Sequence, residues 1–173
     1  MALQSPTKEL LTYLQKNPQV RARIAAPANQ TLLYAGNFIR PLWQDIEQLR
    51  RRTPEAVPKK VLPDVLASIA TPGQAHLNLL AWARALDALQ PWKENGFIAW
   101  RALSGIFAAN ATGAVSFQIG AGVNKVEKVF AATELAVLLR NPAIDTMTRD
   151  ALDYYQHCIR NGQTAINFGL MRD

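Results

Sequence analysis

Residues 97–111 read FIAWRALSGIFAANA, and nearly every face of the helix this run would form is apolar. A helix without a continuous polar face belongs in an interior, so the run predicts a central helix with the rest of the chain packed around it. The apolar character continues to residue 123, a length that raises the question of a membrane span. Arg101, Ser104, Asn110, Thr112, Ser116 and Gln118, together with interrupting glycines, make the stretch too polar for one. No membrane span is expected.

Upstream, the punctuation is helical. Ser5-Pro6 caps and opens a helix to about Lys16 with Leu10, Leu11 and Leu14 on one face, and Asn17-Pro18 closes it and starts a short turn to about Ala25. Residues 29–52 show Ile39, Leu42, Trp43, Ile46 and Leu49 at spacings of three and four, which predicts a longer helix kinked at Pro41. Residues 53–63 hold Pro54, Pro58 and Pro63 and form a proline-rich joint. Leu62, Val65, Leu66 and Ile69 then read as a two-turn helix. Thr71-Pro72-Gly73-Gln74 has the form of a capping box ahead of Leu79, Trp82, Ala83 and Leu86.

Downstream of the central run, Val115, Phe117 and Ile119 alternate with smaller or polar residues, which admits one short β-hairpin near 114–119 or an irregular crossing. Asn124 and Glu127 cap a helix that stops at Arg140-Asn141-Pro142. Asp145 caps a last one, with Met147, Ala151, Leu152, Tyr155, Cys158 and Ile159 inward. The expected fold is all-α: a bundle of six or seven helices in a single helical domain over residues 1–173.

The chain is basic, with a net charge of +6, and all of that charge lies in residues 1–60. Lys8, Lys16, Arg21, Arg23, Arg40, Arg50, Arg51, Arg52, Lys59 and Lys60 stand there against Glu9, Asp45, Glu47 and Glu55, whereas residues 61–173 carry nine charges of each sign. A surface of one sign steers and holds the opposite sign without a shaped pocket. The ten cations are therefore the candidate contacts to an anionic partner, nucleic-acid backbone first. Arg50, Arg51 and Arg52 close a predicted helix, where the carbonyl end favours cations without any partner. Tyr13 and Tyr34 are weighed as base-stacking rings or as core. No motif for reading a DNA groove is present, so contact without sequence specificity is expected. The alternative is a protein–protein interaction module within a larger assembly.

Catalytic constellations do not assemble. His157 and Cys158 are adjacent on a helix and diverge by about 100°. Asp150, Asp153 and His157 share a face, with a solvated polar face as the plainer reading and a divalent metal site as the other. Gly120-Ala121-Gly122 before a capped helix matches no phosphate-binding pattern. The chain is read as non-enzymatic, with no cofactor and no metal. A lone cysteine, Cys158, and opening residues unlike a secretory signal set the expectation of a reducing cytoplasm.

Overall fold

Pro6 occupies the first position of helix α1 (Pro6–Lys16), where a missing amide hydrogen costs nothing. The computed structural model describes residues 6–35, 60–72, 76–119 and 133–160. Helix α1 buries Thr7, Leu10 and Leu14. After Asn17, α2 (Pro18–Arg23) buries Val20 and leads to strand β1 (Thr31–Ala35). There follow α3 (Leu62–Ala67), α4 (Leu79–Asp87), a 3-10 turn at Trp92–Glu94, α5 (Gly96–Ala109), strand β2 (Val115–Ile119), α6 (Leu135–Arg140) and α7 (Thr146–Arg160).

The protein is a mostly helical bundle, with seven α-helices among the described residues. Helix α5 is its centre and packs against α1, α3, α4 and α6. It places Leu103, Phe107 and Ala108 beyond the reach of solvent, surrounded by Leu10, Ile24, Leu66, Ile69, Leu79 and Leu86. Among the described residues no helix is long and apolar enough to cross a membrane.

Four local expectations are corrected. The helix predicted over 29–52 does not include 31–35, which form β1; residues 36–59 lie outside the described residues. Asn29, at φ 67°, takes the chain into the left-handed region just before the strand and blocks a helical start there. Leu32 and Leu33 are both buried, so successive side chains on opposite strand faces both meet apolar surroundings. Such a short apolar run carries no usable period. The strand expected near 114–119 is present as β2, but its partner is β1, in parallel, from Thr31↔Val115 to Ala35↔Ile119. It is therefore not part of a hairpin, because a hairpin needs antiparallel neighbours.

Helix α4 begins at Leu79, capped by Asn78, whose Oδ1 accepts from the Ala81 amide at 2.8 Å. Thr71 is not its cap. The Thr71 hydroxyl donates instead to the His76 carbonyl at 2.6 Å. In α7 the Asp145 cap is present, with Oδ1 accepting from the Thr148 amide at 2.8 Å. Met147, expected inward, is 74% exposed, while Thr148 and Leu152, one turn apart, are buried. The side chains of Tyr155, Cys158 and Ile159 and the cap at 124–127 lie outside the described residues.

A buried helix end must satisfy its last carbonyls without water. At the end of α5 the task falls to Asn141, which is itself buried. Its Nδ2 lies 3.0, 3.2 and 2.8 Å from the carbonyl oxygens of Ala108, Ala109 and Ala111, and its Oδ1 accepts from the Ala143 amide at 2.9 Å. Asn110 turns the other way and donates to the carbonyls of Arg21 at 2.8 Å and Ile24 at 3.0 Å, which ties α2 to the same point. Replacing Asn141 with Ala strands several buried polar groups and is expected to lower unfolding free energy by about 2–3 kcal/mol in urea titrations. Asn141→Asp, which adds a charge facing carbonyl oxygens, is expected to cost more.

Candidate nucleic-acid interface

Helices α1 and α2 meet at a basic corner. No acidic residue occurs between Glu9 and Asp45, an interval that includes Lys16, Arg21, Arg23 and Arg40. Arg21 folds back so that Nη1 donates to the Leu14 carbonyl at 2.7 Å and the Gln15 carbonyl at 2.9 Å, which satisfies the last turn of α1. This cation is committed to the fold, since a guanidinium bound to a helix C-terminus serves the unsatisfied carbonyls and the dipole together. Lys16 stands exposed in that same last turn. Arg23 is exposed at the end of α2 and extends one nitrogen to within 3.4 Å of the Ser68 carbonyl after α3.

Of the ten candidate contacts, the structure places Lys16 and Arg21 at the same end of α1, with Arg23 two residues beyond Arg21 at the end of α2. Lys8 is exposed on α1, two turns before Lys16. Lys60 is exposed beside β1, where its backbone bridges Thr31: its amide donates to the Gln30 carbonyl at 2.7 Å, and its carbonyl accepts from the Leu32 amide at 3.0 Å. Arg40, Arg50, Arg51, Arg52 and Lys59 lie outside the described residues.

Beside the corner is a ladder of rings that sequence reasoning did not assemble. Tyr13 lies one turn before Lys16 on α1 and meets Trp82 of α4 at a centroid distance of 5.4 Å. On Trp82 stacks His76, at 5.7 Å and 15° between planes. All three residues are half-buried. The loop carrying His76 is held by the Thr71 hydroxyl and by an antiparallel bridge between Ala70 and Asn78. Trp82 reads in sequence as one more apolar residue on the inner face of α4. Nothing in the spacing relates it to a histidine in the preceding loop, so no sequence signal was available. The side chain of Tyr34 lies outside the described residues.

A second feature lies on α5. Ile98, Ala102, Ile106 and Ala109 line the floor of an open groove of about 510 Å³, bounded by Leu11 of α1 and Val137 of α6. Arg101 crosses its rim, and its Nε donates to Thr133 Oγ1 at 2.9 Å. Gly105 permits the close approach, since a Cβ there would lie 3.3 Å from Thr133 Cγ2. Next to Thr133 in sequence, Glu134 is buried, and its Oε2 has no hydrogen-bond partner among the described residues. Burial pushes its carboxyl up from 4.5 to about 8, and a hydrogen bond with the Ser104 side chain offsets part of that rise.

Asp150, Asp153 and His157 are all exposed, and among the described residues no three His, Cys, Asp or Glu side chains gather to hold a metal ion. No protein-family model and no curated protein matches the chain.

The raised carboxyl makes stability depend on pH in a defined sense. Below 4.5 Glu134 is protonated in both the folded and the unfolded chain, and its contribution is fully present. Between 4.5 and about 8 the unfolded chain ionises first, so stability falls as pH rises through that window, by on the order of a few kcal/mol in total. Asp145, held below the usual carboxylate range by its hydrogen bonds from Thr148, acts oppositely and only in acid. Thermal melts of Glu134→Gln are expected to show a smaller loss of Tm between pH 5.5 and pH 8.5 than the natural chain. An equal loss in both proteins would contradict the burial of an ionisable group there.

Proposed function

We propose that the protein is a non-enzymatic binding or assembly subunit. In this reading, the basic surface of its first 60 residues holds an anionic polymer, nucleic-acid backbone without sequence specificity. The observation that carries the reading is the α1–α2 corner. It presents Lys16 and Arg23 to solvent in a stretch of 35 residues free of acids, on a frame fixed by Arg21 and Asn110. A cation held on a helix end by two short bonds, as Arg21 is, adds potential but few contacts, so the contact role falls to Lys16, Lys60 and Arg23, whose one backbone contact is a long 3.4 Å, with Lys8 adding positive charge on α1 and the five cations outside the described residues as further candidates. A reducing cytoplasm is the proposed setting.

The groove on α5 favours a second reading, a protein-interaction module, because an open apolar surface with one arginine at its rim suits an apolar segment of another chain. The charge asymmetry places the first reading ahead.

Counterion release makes binding to a phosphate backbone steeply salt-dependent. Anisotropy titrations of a labelled oligonucleotide are expected to show affinity falling by orders of magnitude between about 50 and 200 mM salt. The double variant Lys16→Glu, Arg23→Glu is expected to weaken binding for every sequence and to flatten the log–log salt slope by about 2. Arg21→Ala is expected to lower thermal stability before it alters affinity. Absence of binding at about 50 mM salt would remove the proposal.

A further inference from the structure

We propose that the Tyr13–Trp82–His76 ladder is a stacking platform for an unpaired base, and hence that the polymer held at the corner is single-stranded. This rests on the nucleic-acid reading above and names its substrate class. Single strands are bound without sequence preference by cations that track the backbone and by ring faces on which exposed bases stack. Both elements meet here. His76 lies nearly parallel to Trp82, at 15° and 5.7 Å, and forms the outer rung of the ladder. Behind Trp82, Tyr13 of α1 makes a tilted contact at 5.4 Å and 44°. Leu77, the next residue in sequence after His76, is 87% exposed.

The charges flank the rings. Lys16 follows Tyr13 by one helical turn, and Asn17 fixes that turn by donating its Nδ2 to the Tyr13 carbonyl at 2.7 Å. Arg23 reaches Ser68, two residues before the Ala70–Asn78 bridge that closes the His76 loop. A strand whose phosphates follow Lys16 and Arg23 carries its bases past His76. A duplex offers the same phosphates, but its base faces are already covered by their neighbours.

The test uses the full chain and competition for a labelled single strand. Competitors are unlabelled single-stranded DNA and RNA of the same sequence, the corresponding duplex, and inorganic polyphosphate matched in phosphate number. The single strands are expected to compete best per phosphate. His76→Ala is expected to weaken single-strand binding about tenfold while leaving polyphosphate binding unchanged, which also certifies that the variant is folded. His76→Phe, which restores a ring without an ionisable group, is expected to recover most of the loss and so separates stacking from charge. A His76→Ala variant with unaltered single-strand preference, or equal competition by all four competitors, overturns the platform and leaves the anionic-polymer reading standing. Failure of every polymer to bind overturns both.

Discussion

At the end of α5, Ala108 and Ala111 are fully buried, and carbonyls in such a place must find hydrogen-bond donors in the protein. The carbonyls of Ala108, Ala109 and Ala111 find them in the single side chain of Asn141. Around that solution the adjoining segments are drawn in. Asn29 donates its amide to the Thr112 carbonyl at 3.0 Å and accepts from the Ala114 amide at 2.7 Å. Gly113, at φ 72°, exchanges backbone bonds with Ala143 and Asp145, and the Val115 amide donates to the Thr148 hydroxyl at 3.1 Å. A Cβ at Gly113 would collide with the Asn29 side chain, so the crossing there requires glycine. Within a few residues, the exit of α5 fixes the start of β2, the entry to α7 and, through Asn110, the end of α2.

That constraint is what gives the basic corner a defined geometry. Arg21 holds the end of α1 through its guanidinium and the end of α5 through its own carbonyl, so α1, α2 and α5 meet at one residue. Arg149 does the same work elsewhere, donating to the Leu139 carbonyl at 2.9 Å and the Asn141 carbonyl at 2.6 Å after α6. A basic protein of this construction therefore divides its cations into two kinds. Those folded onto helix C-termini by short bonds, such as Arg21, set the frame, and those pointing outward, such as Lys16, are available to a partner; Arg23 stands between the two, exposed but within 3.4 Å of the Ser68 carbonyl at the end of α3. Net charge alone does not distinguish them.

The same division explains how much was legible in the sequence. Features set by local chemistry read correctly: Pro6 at the start of α1, the α3 pattern of Leu62, Val65 and Leu66, the all-apolar α5, the stop at Asn141-Pro142 and the Asp145 cap. Features decided by distant residues did not. Thr31–Ala35 becomes a strand because β2 and the Lys60 segment lie alongside it, and no local period encodes that pairing. Thr71 has a good capping sequence, but its hydroxyl is taken by the His76 carbonyl, and Asn78 caps α4 instead. The stack of His76 on Trp82 follows from how that loop closes. For the candidate site, residue types were legible and partnerships were not: Arg21 and Lys16 look alike in sequence and differ entirely in what they touch.

The central claim is that a nucleic-acid strand meets the α1–α2 corner and the His76 loop rather than the apolar groove on α5. Amide chemical-shift mapping of the isotope-labelled full chain, titrated with a single-stranded oligonucleotide at low salt, tests it most directly. The account predicts shifts concentrated at Lys16, Arg23, Ser68 and His76 to Asn78, with Ile98, Ala102 and Ile106 unmoved. Shifts confined to the groove residues, with the corner and the His76 loop silent, would contradict it.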